Sequence, residues 1–212
     1  MSKKTKVIIL SFAVILLAMS SIGSIMSQVE KPTYELRFQQ GPIEIRDYAR
    51  RIIAETEVSG ERTEAIKQGF RKIAKFIFGA NSSSETLAMT APVEQVLSSA
   101  TERTNPTASM EIEEKYRIRF TMPSIYNMDS LPTPNQKNIT LIEIEPKTFA
   151  AIKFSGRSTH SNLFAHEKLL FDFIRDNKLE TNGNLIYAFY NPPWTLPIFR
   201  RNEILIEITQ FD

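Results

Sequence analysis

The chain has 212 residues, with 26 basic against 24 acidic side chains and no cysteine. The missing cysteine excludes disulfides, thiolate nucleophiles and thiolate metal sites, and the balanced charge offers no overall attraction to nucleic acid. Even the formal excess of +2 belongs to the first few residues: setting aside Lys3, Lys4 and Lys6 leaves 23 basic against 24 acidic residues, a net of −1.

Those lysines precede an apolar run over residues 7–19, broken only by Ser11, and then a small, weakly apolar stretch over 20–27. This is the pattern of a secretory signal, with Ser21-Ile22-Gly23 as an acceptable cleavage site. Residues 7–26 also reach the roughly 20 residues that a membrane-spanning helix needs, so an uncleaved N-terminal anchor fits equally well. On either reading the folded part, residues 28–212, is expected to be exported to the periplasm or the extracellular space, free or membrane-anchored. Its length suits one domain with a sizeable core that needs no staples.

Residues 34–38 alternate apolar and polar, Gly41-Pro42 turns the chain, and Ile43-Glu44-Ile45-Arg46 follows as a second strand. A third covers 52–58, with Arg50-Arg51 before it read as solvated and Ser59-Gly60 ending it. From 61 to 78 the period becomes helical: Ile66, Phe70, Ile73, Ala74 and Ile77 form one apolar stripe, and Gly79 stops the helix. Arg62, Ala65, Gly69, Lys72 and Phe76 occupy one flank of that stripe and Lys67 the other. Such a flank suits a flat apolar molecule with acidic groups, or else Gly69 serves only close strand packing.

Residues 87–93 read as a strand that Pro92 assigns to an edge or bulge. Residues 98–109 are polar and read as a loop. Residues 116–122 alternate without a fault, so Arg117, Arg119 and Thr121 share one wet face of a strand. A connector with three prolines covers 123–138.

The second half repeats the order of the first. Ile142-Glu143-Ile144-Glu145 echoes Ile43-Glu44-Ile45-Arg46, a helix over about 159–178 echoes the first one, and residues 204–208 match 118–122. Pro92 and Pro193 stand 101 residues apart, and Gly60 and Gly156 stand 96 apart. The expected architecture is α+β: a tandem β-β-α-β-β unit, with half-repeats at about 34–123 and 139–209. The two halves would form one mainly antiparallel curved sheet or distorted barrel of eight or nine strands, with two helices outside.

Within the second half, Tyr190-Asn191-Pro192-Pro193-Trp194 joins strand-like runs at 185–190 and 203–208. The two prolines keep it out of a sheet interior and stiffen it, so it forms a loop presenting Tyr190, Trp194 and Phe199 above Arg200-Arg201. Taken alone, this stretch favours Trp194 as a plug at one end of the core. Chemistry has no comparable signal. His160 and His166 are six apart on one helix, about 240° around it, and cannot share a metal. No zinc-protease, nucleophile-elbow, phosphate-loop or dinucleotide motif is present, and the run Glu111, Glu113, Glu114 reads as a solvated face. The chain is therefore not expected to be an enzyme.

Over residues 34–208 the sequence resembles the SOUL haem-binding protein family. The resemblance rests on Ile43-Glu44-Ile45-Arg46-Asp47-Tyr48, the first helix, Met89-Thr90-Ala91-Pro92-Val93, and the Tyr190 to Trp194 stretch with Arg200-Arg201-Asn202-Glu203. It implies a distorted β-barrel with two helices and a haem or other tetrapyrrole in a shallow apolar cleft between the first helix and the Pro-Pro loop. Lys67 stands where relatives have a basic residue near the ligand, Phe70 and Phe76 where they have apolar ones, and the loop supplies Tyr190 and Trp194. Thr195-Leu196 replaces a lysine found in some members after the prolines, and the first half has no histidine. The resemblance thus implies haem held non-covalently by hydrophobic contact and charge, in a passive carrier, buffer or sensor. His166 reads either as a core histidine donating to a backbone carbonyl or as an axial iron ligand. The fold also resembles bacterial effector-binding domains of the multidrug-regulator and gyrase-inhibitor type, which implies an alternative role in binding apolar effectors or partners without haem.

Overall fold

The computed structural model describes residues 29–103, 111–209 and 211, so the leader read at residues 1–27 lies outside the described residues. In chain order the elements are β1 (Tyr34–Gln40), β2 (Ile43–Tyr48), β3 (Arg51–Ser59), α1 (Arg62–Ile77), β4 (Val93–Arg103), β5 (Glu111–Thr121), β6 (Thr140–Ile144) and β7 (Lys147–Phe154). Then come α2 (His160–Asp176), β8 (Thr181–Phe189), a 3-10 turn at Pro197–Phe199, and β9 (Asn202–Ile208). Among the described residues no helix is long and apolar enough to cross a membrane.

All nine strands join one antiparallel sheet in the order β1-β2-β7-β9-β8-β4-β5-β3-β6. This is the expected α+β arrangement, but β1 and β6 end the order, so the sheet is open rather than a closed barrel. Chain connectivity nevertheless forces it to curl. Tyr48 and Arg51 are three peptide steps apart and can be separated by at most about 11 Å. Six strand spacings of about 4.8 Å would put β2 and β3 about 29 Å apart in a flat sheet. The equally short link from β6 to β7 spans the same six places in the order and applies the same constraint.

Strand alternation divides the interior between the two faces of this curl. On the outer face α1 covers Ala54, Val58, Ile118 and Phe120 of β3 and β5, while α2 covers Ile152, Ile204 and Ile206 of β7 and β9. On the concave face Tyr48, Val96, Phe149, Ala151, Ile186 and Leu205 make a smaller apolar cluster. The face of α1 that packs is rotated from the expected stripe. Ala65, Gly69, Ile73, Phe76 and Ile77 are buried, whereas Phe70 stays 40% exposed. Small residues decide this, because they let the helix axis approach the strands most closely. A Cβ built on Gly69 would lie 2.3 Å from Ile118 Cγ1 and 2.7 Å from its Cβ. Gly69→Ala should therefore lose up to about 2 kcal/mol of stability, the two close approaches to Ile118 putting overpacking in the upper part of its usual range of about 1–3 kcal/mol, against a helix-propensity gain of about 1. Thermal melting checks this, and a variant melting at or above the wild type would contradict the close contact.

Three expected loops and strands come out differently. Residues 87–92 form no strand: Pro92 has no N–H for a ladder, and β4 begins only at Val93. The polar stretch from 98 is strand as far as Arg103, paired with β5 through Arg103↔Glu111, because backbone pairing needs no apolar alternation. The rest of that stretch, residues 104–110, lies outside the described residues. Finally, the Arg117, Arg119 and Thr121 face is not an outer wet surface. The curl turns it inward, leaving the two arginines part-buried and Thr121 buried.

Candidate functional site

Helix α1 starts at Glu61, whose carboxylate accepts from the Glu64 backbone N–H at 3.2 Å and relieves one of the unpaired donors of the first turn. With its small-residue face on the sheet, the helix turns Lys67, Phe70 and Arg71 outward as one flank. The Phe70 ring rests at 5.5 Å from the buried Phe120 ring, so one side of it is anchored and the other is open. Lys67 lies 3.6 Å from Glu64, and Arg71 donates to the same carboxylate at 3.2 Å. Pairs this exposed contribute little to stability, so both cations remain available to a ligand.

The loop at residues 190–201 is stiffened by its own hydrogen bonds. The Arg201 N–H donates to Asn191 Oδ1 at 2.6 Å, Thr195 N–H to the Pro192 carbonyl at 3.0 Å, and Arg200 Nε to the Thr195 carbonyl at 2.8 Å. Arg200 Nη2 also donates to the Pro193 carbonyl. With the backbone so occupied, the apolar side chains face outward: Trp194 is 76% exposed, Ile198 71% and Phe199 67%. Trp194 is thus not the core plug that the stretch alone favoured, because the prolines and the arginine bonds hold the loop off the sheet. A group of large exposed apolar side chains marks an interaction surface. Arg62, at the start of α1, lies 5.6 Å from both the Tyr187 and Phe189 rings and donates to the Ser158 carbonyl at 3.2 Å. It therefore joins the helix to the end of β8, where the loop departs.

Two of the expected contact residues face elsewhere. Phe76 is 0% exposed under α1 and presents no surface to a ligand. Tyr190 lies on the concave side, where its hydroxyl donates to Glu203 at 2.8 Å and its ring lies 4.1 Å from the Arg201 guanidinium. Lys67, Phe70 and Trp194 are the three that stand at the surface.

Tyr190 belongs to a buried ionic network that sequence reasoning missed. Arg46, fully buried, donates through Nη1 and Nη2 to the two Glu203 oxygens at 2.7 and 3.0 Å. It also reaches Glu44 at 2.6 Å and the Tyr48 hydroxyl at 3.0 Å, while Arg201 donates to Glu203 at 2.7 Å. Burial pushes the Glu203 carboxyl up, but the hydrogen bonds and charges of Arg46 and Arg201 outweigh it and hold it below the usual carboxylate value. Burial also raises the Tyr48 hydroxyl to about 12, although Arg46 opposes it. Ile43-Glu44-Ile45-Arg46 and Arg201-Asn202-Glu203 were each conspicuous in the sequence. Nothing there showed that they meet.

His166 sits on α2 with Nδ1 2.7 Å from the Asn162 carbonyl and its ring stacked at 4.0 Å on Phe154. A carbonyl only accepts, so Nδ1 carries the proton. Among the described residues no group of three His, Asp or Glu side chains is placed to hold a metal ion.

Comparison with known proteins gives a family from sequence and a fold from solved structures. A family model described as SOUL heme-binding protein matches residues 29–207. Heme-binding protein 1 of Xenopus laevis is 26% identical over 162 residues, which cover 76% of this chain and 80% of the relative. Heme-binding protein 1 of Mus musculus is 27% identical over 142 residues, or 66% of this chain and 70% of the relative. Among solved structures, the EcmrR C-terminal domain aligns with a TM-score of 0.57 at 12% identity, covering 84% of this chain and 99% of that one. A hydrolase from Listeria innocua aligns with 0.53 at 8% identity, covering 82% and 94%. At these identities the likeness shows the fold alone.

Proposed function

Because the chain belongs to the SOUL heme-binding protein family, matched over residues 29–207, we propose that it holds a haem or related tetrapyrrole non-covalently, as a passive carrier, buffer or sensor. The observation that carries this reading is the outward display of Trp194 on a loop already rigid before any ligand arrives. Little ordering entropy is then left to lose on binding, which favours a flat apolar ligand even on a shallow surface. Phe70, open on one side, supplies a second ring, and Lys67 and Arg71 supply charge for acidic substituents. His166 takes no part, since it is stacked and hydrogen-bonded on α2, and the iron has no protein ligand in this reading.

A haemin titration followed at the Soret band tests it. The wild type should show a saturable shift at about micromolar affinity, and Trp194→Ala and Phe70→Ala should each weaken it about tenfold, or about 1.4 kcal/mol. A flat wild-type response would overturn the proposal and favour an apolar-effector module without haem. We also take the domain to be exported by the leader read at residues 1–27, which supports a role outside the cytoplasm. Mass analysis of the mature N-terminus distinguishes a cleaved signal from a retained anchor.

A further inference from the structure

We propose that the concave face of the sheet, opposite the helices, carries a second site, for a small organic monocarboxylate. The curl that follows from the short β2–β3 and β6–β7 links leaves a groove of about 200 Å³ on this face, lined in part by Phe149, the register neighbour of Arg46. Four cations line it: Arg51, Arg117, Arg119 and Lys147. Two of them are taken, because Arg119 donates to Glu55 at 2.5 Å and Lys147 to Glu207 at 2.6 Å. Glu57, which register sets opposite Arg117, is not on the lining and lies 3.8 Å from Lys115.

Arg51 and Arg117 are different. Nε and Nη1 of Arg51 and Nε of Arg117 are buried without an acceptor. The Arg51 guanidinium is held over the Tyr48 and Phe149 rings, at 5.0 and 5.9 Å from their centroids. Rings steady a guanidinium but accept none of its in-plane N–H bonds. A buried donor left without a partner costs about 1–3 kcal/mol, and more when charged. The carboxylate of Glu94, buried on the same lining but set by register opposite Arg119, offsets at most one of the two positive charges. One remains, which a single carboxylate would neutralise while filling the guanidinium fork.

Size and the remaining lining narrow the class. A groove of about 200 Å³ is smaller than the roughly 300–1,000 Å³ of drug-sized sites and cannot take a tetrapyrrole. Ile53, Phe149 and Ile186 line it beside the arginines, so the carboxylate should be attached to a compact apolar body rather than to a polar one. Neither Phe70 nor Trp194 lines this groove, and the inference stands or falls without the haem proposal.

Titration calorimetry of the full chain with sodium benzoate at low salt, with inorganic phosphate as comparator, tests it. Saturable one-to-one binding of benzoate at about millimolar affinity is expected, with phosphate at least about tenfold weaker for want of an apolar body. Arg51→Met and Arg117→Met should each weaken benzoate about tenfold or more. Glu94→Gln should tighten it severalfold by removing the opposing charge, an outcome that merely structural damage would not produce. Trp194→Ala and Phe70→Ala should leave benzoate affinity unchanged, whatever they do to haemin. Absence of saturable heat in the wild type, equal binding of phosphate, or unchanged affinity in the arginine and Glu94 variants would overturn the site.

Discussion

Glu203→Ala should destabilise the protein by about 3–5 kcal/mol, because it takes away the fully buried, two-pronged partner of the Arg46 guanidinium and leaves it only the part-buried Glu44 carboxylate. For a domain of this size that lowers the melting temperature by roughly 6–20 °C. The same change removes the acceptor of the Tyr190 hydroxyl and of Arg201. Replacing both partners with apolar residues, as in Arg46→Met with Glu203→Leu, should recover part of the loss, since both fully buried charges are then gone while Glu44 and Arg201 keep some access to water. Thermal and urea melting of the three variants and the wild type decide the matter. An unchanged melting point in Glu203→Ala would mean that the pair is not isolated from water.

The same carboxyl sets an acid limb. Its folded value lies below the ordinary 4.5, so the unfolded chain takes up the proton first as the pH falls. The stabilisation is therefore fully present above about pH 4.5 and is lost as the pH drops through the lower, folded value. Glu203→Gln should flatten this part of the stability profile measured by urea melts between neutral and acid pH.

Phe76→Ala should cost about 3–5 kcal/mol of stability, the usual range for emptying a buried phenylalanine site. The ring is completely buried among Ile73, Ile118 and Phe120, and those residues sit on rigid elements that collapse poorly into the vacated space. Haemin affinity, measured at a temperature where the variant stays folded, should change far less than in Phe70→Ala. A Phe76 variant with normal melting and lost haemin binding would show that the ring meets ligand after all.

These two residues illustrate how much of the site could be read from the chain. A helical period carried over residues 61–78 was enough to locate α1 to within a residue or two at Arg62–Ile77, and likewise Thr159 caps α2 where the period begins. The stiffness of the 190–194 stretch was also legible, since proline acts through its own backbone. Which side of α1 would pack was not. Phe70 and Phe76 both read as apolar positions on that helix, and only the approach allowed by Gly69 against Ile118 puts one at the surface and the other inside. Arg51 gives the same lesson: beside a strand it reads as solvated, yet the curled sheet closes around it.

By itself, then, the sequence determined most of the elements, their order and the family, because periodicity, capping and proline geometry act over a few neighbouring residues. The tertiary structure decided which face of each element meets water and which distant charges meet each other. Arg46 and Glu203 are 157 positions apart and become partners only because β2 and β9 both lie against β7. Pairing between strands is set by how the whole sheet curls around its core, and no local stretch of chain carries that information.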